Sequence, residues 1–150
     1  MPADVRVEGA AEPPVLDVLH DALARLWASA PDVPSAERAR FETAVLELAT
    51  NALVHGVPGG AGPVRVGATL RAGDDGVLAA VLWDDGGPLD VDLDAPEPPD
   101  TATSGRGLLL VRRAVDSVVL TREGERNVWR LARRYRDPEP HRSVAASSDG

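Results

Sequence analysis

Three polar side chains, Glu47, Asn51 and His55, follow one another at four-residue steps in Glu47-Leu48-Ala49-Thr50-Asn51-Ala52-Leu53-Val54-His55-Gly56. On a helix each such step drifts about 40° around the axis, so the three line one edge. Asn51 and His55 fall toward the apolar stripe defined by Leu48, where a polar group costs free energy unless something satisfies it. An amide oxygen suits a hard, octahedral cation such as magnesium, and a carboxylate one turn away can take a proton from an attacking hydroxyl. The same residues on a solvated helix edge need no ligand, and taken alone the spacing favours that plainer reading.

Two further segments carry chemistry. Asp84-Asp85-Gly86-Gly87-Pro88-Leu89-Asp90 follows directly on a strand-like run. Glycine there permits positive φ and close backbone approach to a flat ring, and a carboxylate at the strand end can accept from an exocyclic amine. An ordinary strand-terminating Asp-Gly turn has the same residues. Gly105-Arg106-Gly107-Leu108 opens a helix, whose free amide hydrogens and positive dipole end suit phosphate, with Arg106 able to add a planar contact. Glycines before a helix are also common connectors.

The elements that must position these segments are legible from periodicity. Val15, Val18, Leu19, Ala22, Leu23 and Leu26 recur at three- and four-residue steps and predict a helix from Pro14 to Ala30, closed by Pro31 and Pro34. Ser35 offers an N-cap oxygen, Glu37 suits the positive helix start, and Phe41, Ala44, Val45, Leu48 and Ala52 form the stripe of a second helix that runs to His55. Val57 to Pro63 reads as loop. Val64 to Arg71 and Val77 to Asp84 read as a hairpin, and Asp4 to Glu8 as a short first strand. Pro88 to Thr103 holds Asp90, Asp92, Asp94, Glu97 and Asp100 among prolines and reads as an exposed acidic loop, with a charge suited to a basic partner. A helix from Gly107 to Asp116 and strands at Ser117 to Arg122 and Asn127 to Arg133 complete a single domain over residues 1–135, followed by a polar, disordered tail over 136–150. The order predicts an α+β two-layer sandwich, with helices on one face of a mainly antiparallel sheet.

Composition narrows the function classes. The 150 residues give one domain, and a net charge of -8 opposes binding along a phosphate backbone, so nucleic acid is not an expected partner. All 16 basic residues are arginine, and there is no cysteine, which excludes disulfides and thiolate chemistry. No apolar run reaches the roughly 18 residues of a membrane span, and the start lacks a secretory pattern, so a cytoplasmic location is expected. Arg112 with Arg113, and the cluster Arg133, Arg134 and Arg136, read as solvated edges.

Taken together and in this order, Glu47 to Gly56, Asp84-Asp85-Gly86 and Gly105-Arg106-Gly107-Leu108 resemble the three ATP-binding boxes of the GHKL ATPase superfamily, which joins gyrase, histidine kinases and anti-sigma factor serine kinases. The likeness is nearest to the anti-sigma kinase branch, through Asn51-Ala52-Leu53-Val54-His55-Gly56, Arg106-Gly107-Leu108-Leu109-Leu110-Val111 and Val115-Asp116-Ser117-Val118, and it spans about Pro34 to Leu131. The resemblance implies three helices over an antiparallel sheet, with ATP and magnesium as cofactors. It makes Asn51 the magnesium ligand, Glu47 the catalytic base, Asp84 the acceptor for the adenine amine and Gly86 the glycine beneath the ring. Gly105, Arg106, Gly107 and Leu108 would flank the phosphates. Two positions depart from the pattern. Pro88 stands where a second glycine is usual, and no threonine lies near Asn127, where the last strand commonly contacts nucleotide.

The resemblance implies an ATP-dependent serine/threonine kinase and anti-sigma factor, whose partners are a sigma factor and a STAS-type anti-anti-sigma protein, and which is often a homodimer. The alternative is a binding module that regulates its partner by occlusion without phosphotransfer. A histidine kinase fragment with His20 as phosphoacceptor fits poorly, because one helix of roughly 17 residues, about 25 Å, cannot supply a dimeric helical hairpin.

Overall fold

The structure is a computed structural model that describes residues 3–55, 64–88 and 106–136, the side chains of residues 54, 55, 106 and 107 excepted. The elements in chain order are β1 (Ala3–Ala10), α1 (Pro14–Ser29), α2 (Ser35–His55), β2 (Arg65–Ala72), β3 (Val77–Asp84), α3 (Arg106–Ala114), β4 (Ser117–Glu123) and β5 (Arg126–Arg134). Among the described residues five strands pair antiparallel in the order β1-β2-β3-β5-β4, and three helices supply the second layer. The α+β sandwich expected from the sequence is the fold observed.

The core follows from the two periodicities. On the strands alternate residues face the helices: Val66, Ala68, Leu70 and Ala72 on β2, Leu78, Ala80 and Leu82 on β3, and Trp129 and Leu131 on β5, all buried. On α2, Phe41, Ala44, Val45, Leu48 and Ala49 bury the facing stripe. Trp27 of α1 donates its indole N–H to Glu42 Oε2 at 2.6 Å and meets the Phe41 ring edge-on, with centroids 5.9 Å apart at 73°. The polar atom of a large apolar side chain is thereby satisfied at the α1–α2 seam.

Several local expectations are corrected. Val18 is 39% exposed, whereas Trp27 is buried on α1; Val18 lies about 100° from the centre of the buried stripe at 100° per residue. The N-cap place of α2 belongs to Pro34, whose carbonyl accepts from Glu37 N and Arg38 N, and Ser35 is the first helical residue. β1 extends beyond Asp4 to Glu8 because pairing with β2 runs from Ala3↔Ala72 to Ala10↔Arg65. α3 stops at Ala114, and the Asp116 N–H leaves the helix to bond Ala132 O. Among the described residues positive φ is confined to Gly76 and Gly124, the tips of the two hairpins, so Gly86 does not use the conformational freedom expected of it. The segments expected as loops at Val57 to Pro63 and after Pro88, and the tail beyond Arg136, lie outside the described residues.

Candidate functional site

Asp84 and Asp85 end β3 side by side, and the pleat sends them apart. Asp85 accepts from the backbone N–H of Arg65 at 2.7 Å and so fastens the start of β2. Asp84 continues the helix-facing row of β3 and is buried at 4% exposure. Its Oδ1 accepts from Gly86 N at 3.0 Å and from Asn127 Nδ2 at 2.9 Å. The first bond is the local Asp-Gly turn expected from sequence; the second arises from the sheet.

β5 lies between β3 and β4, and its register sets Asn127 directly opposite Asp84. Asn127, at 2% exposure, also donates from Nδ2 to Gly87 O at 2.9 Å. From β4, the exposed Arg122 donates from Nη1 to Gly86 O at 2.7 Å and to Asn127 Oδ1 at 3.3 Å. The Asp84-Asp85-Gly86-Gly87 turn is therefore held from three neighbouring strands. Asn127 and Arg122 had no assigned role in the sequence reading. The available sign was the parity of β5, where Asn127 shares a face with Trp129 and Leu131 and must be a buried amide in need of partners.

Beside Asp84 a seam runs between the helices and the sheet, lined by Leu48, Ala49 and Ala52 of α2, Leu82 of β3 and Trp129 of β5. Its interior volume is about 20 Å³, room for about one water molecule. α2 packs against both β3 and α3, so the helix bearing Glu47 and Asn51 adjoins the strand that ends in Asp84 and the helix that opens at Arg106. Glu47 and Asn51 are half-buried, and neither lines the seam. Gly86 is buried in the Asp84 turn. Leu108 is partly buried against the core, as expected of a packing residue of α3. Gly105 lies outside the described residues, as do the side chains of Arg106 and His55. The structure thus brings Asp84 and Gly86 into one network, and sets α2 against it.

The donor set fits a base with an exocyclic amine. Oδ1 of Asp84 takes two N–H donors among the described residues, and Asp84 lines the edge of an apolar seam. For a divalent cation the fit rests on the half-buried Asn51 amide oxygen, a hard donor. No group of three or more metal-ligating side chains occurs among the described residues. No helix among them is long and apolar enough to cross a membrane.

At the opposite end of β5, Arg133 forms a paired contact with Glu37 of α2, Nε to Oε1 at 2.7 Å and Nη2 to Oε2 at 3.2 Å, and reaches Asp116 at 3.2 Å. The hydrogen bond from Arg133 holds the Glu37 carboxyl below the usual carboxylate range, ahead of an opposing contribution from burial.

The chain matches the histidine kinase-like ATPase domain family over residues 10–133 and belongs to it. The match begins before the segment in which the motifs lie and takes in α1. The fold is similar to that of the RsbU and RsbW domains of Rv1364c from Mycobacterium tuberculosis, with a TM-score of 0.61 and 18% identity over 88% of this chain and 32% of that one. A lesser likeness, with a TM-score of 0.48 and 22% identity, is to the histidine kinase domain of the Erythrobacter litoralis EL346 blue-light activated histidine kinase, over 68% of this chain and 46% of that one. The chain therefore spans about a third of the first structure and under half of the second. A search among curated proteins finds no match.

Proposed function

We propose that this domain binds ATP with magnesium and works as an anti-sigma regulatory factor, a serine/threonine kinase that phosphorylates a STAS-type antagonist and sequesters a sigma factor. The observation that carries the nucleotide half is the buried Asp84 carboxylate, locked on one oxygen, at the end of an apolar seam beside α2. Membership of an ATPase-domain family over residues 10–133 supports it. The regulatory half is supported by the likeness of the α2 and α3 motifs to the anti-sigma branch.

The residues divide the work by chemistry. Asp84 accepts from the base amine, and Gly86 holds the turn beneath it. Asn51 offers the amide oxygen for the cation, and the start of α3, with Gly105, Arg106, Gly107 and Leu108, takes the phosphates. Bound magnesium supplies charge neutralisation of the phosphates. Glu47 takes the proton from the partner's serine hydroxyl as the serine oxygen displaces ADP from the γ-phosphoryl group.

The test is incubation of the purified protein with radiolabelled ATP, magnesium and candidate STAS proteins. Label on a partner serine is expected with the wild type. Glu47→Ala should lose transfer by at least about 100-fold while still binding nucleotide and partner. Asn51→Ala should lose transfer through weakened binding of Mg-ATP. Nucleotide binding without transfer to any such partner would instead support regulation by occlusion.

A further inference from the structure

Asp84 and Asn127 are the two buried polar residues among those described, and they are bonded to each other. Nδ2 of Asn127 has two hydrogens, and both are used, on Asp84 Oδ1 and Gly87 O; its Oδ1 accepts from Arg122. Turning the amide over would set its oxygen against two acceptors and its NH₂ group against a cation, so the geometry fixes its orientation. Asn127 therefore keeps no hydrogen for a ligand. Gly86 N alone would close the turn at Asp84, and the amide adds a second donor to the same carboxylate oxygen.

From this arrangement we infer that Asn127, braced by Arg122, makes the site selective for a 6-aminopurine over a 6-oxopurine base. It acts as a positioning residue, through Asp84. The inference rests on the nucleotide reading of the same site. A carboxylate free to rotate can find a donor on either base, the 6-amino group of adenine or the N1–H of hypoxanthine. With Oδ1 pinned by two donors and the turn pinned at Gly86 O and Gly87 O, the carboxylate is held against rotation, and in this proposal Oδ2 is the oxygen left for the base. There it accepts from a 6-amino group and is forced against the lone pair of a 6-oxo group. The clamp converts a general acceptor into a selective one.

The probes are ATP and inosine triphosphate, whose bases differ at the 6-position and the N1 hydrogen, titrated by calorimetry with magnesium. The wild type is expected to prefer ATP. Asn127→Ala should cut the ratio of the two affinities on the order of tenfold, chiefly by weakening ATP, while Asn127→Thr, which restores one donor, should give an intermediate ratio. Arg122→Ala removes only an exposed brace and should cut the ratio by a few-fold with the fold intact. If the Asn127 variants do not fold, the Arg122 variant decides, and an unchanged ratio overturns the proposal. A folded Asn127→Ala that weakens both nucleotides equally also overturns it, as does a wild type indifferent to the base, and both results leave the nucleotide site standing. A wild type that binds neither triphosphate removes the site reading and the clamp together.

Discussion

β5 turns two polar side chains toward the helix layer, Asn127 near its start and Arg133 near its end, and they are satisfied in opposite ways. Arg133 meets Glu37 and Asp116, and opposite charges neutralise one another at sites about one-fifth to one-half exposed. Asn127 meets Asp84 where both are almost fully buried, and an amide cannot cancel a carboxylate's charge. The ionic end ties α2 to the sheet and the α3–β4 junction. The amide end orients a carboxylate at the edge of an apolar seam. In the proposed function the buried carboxylate serves a ligand, whereas the charge pair at the other end serves as a fastening.

The largest expected effect breaks the amide end without breaking the fold. Asp84→Asn keeps an oxygen for the donors of Gly86 and Asn127 and places an NH₂ group where the second carboxylate oxygen stood. Affinity for ATP should fall on the order of 100-fold and the preference should swing toward inosine triphosphate, with the thermal midpoint nearly unchanged. A clearly lowered thermal midpoint with an unchanged base preference in the folded variant would mean that Asp84 is a fastening too.

Breaking the ionic end should do the converse. Glu37→Gln should cost about 1–2 kcal/mol of stability, between the values of exposed and buried pairs, and leave nucleotide affinity alone. Its pH dependence has a definite sign. Because the Glu37 carboxyl titrates below its ordinary value of 4.5 when folded, its contribution is present in full above that value and is lost as the pH falls through the lower folded one. The stability difference between wild type and Glu37→Gln, measured by denaturant titration, should therefore shrink below about pH 4.5. A difference that grows on acidification would contradict the assignment.

The smallest effect belongs to the outer face of the sheet. There Arg130 meets Glu123 at 2.6 Å, with both side chains about half exposed. Arg130→Ala should leave both the thermal midpoint and nucleotide affinity unchanged within error, because an exposed pair is screened by water and salt. A measurable loss of ATP affinity would extend the site to that face.

The sequence places α2 to its observed end at His55 and within one residue of its start, because the stripe of Phe41, Ala44, Val45, Leu48 and Ala52 at helical spacing is a local pattern. It also located the strand that ends in Asp84, where alternation stops at two acidic residues and two glycines. The partner of Asp84 was not legible. Asn127 lies 43 residues further along, across α3 and β4, and only the insertion of β5 between β3 and β4 sets the two opposite each other. Local periodicity reports which face a residue takes and says nothing about strand order. The same limit hid Arg133 as the partner of Glu37, 96 residues apart, so that Arg133 read as part of a solvated run. The misplaced N-cap at Ser35 has a smaller cause, since proline can hold that position with its carbonyl alone.

The most direct test of the proposed nucleotide site is titration of ¹⁵N-labelled protein with Mg-ADP, followed by two-dimensional NMR. The expected result is that the largest shifts fall on the backbone amides of Gly86 and Gly87 and on the side-chain NH₂ of Asn127, while signals around Glu37 and Arg133 stay still. Shifts confined to the Arg133 end, or none at millimolar Mg-ADP, would contradict a nucleotide site at Asp84.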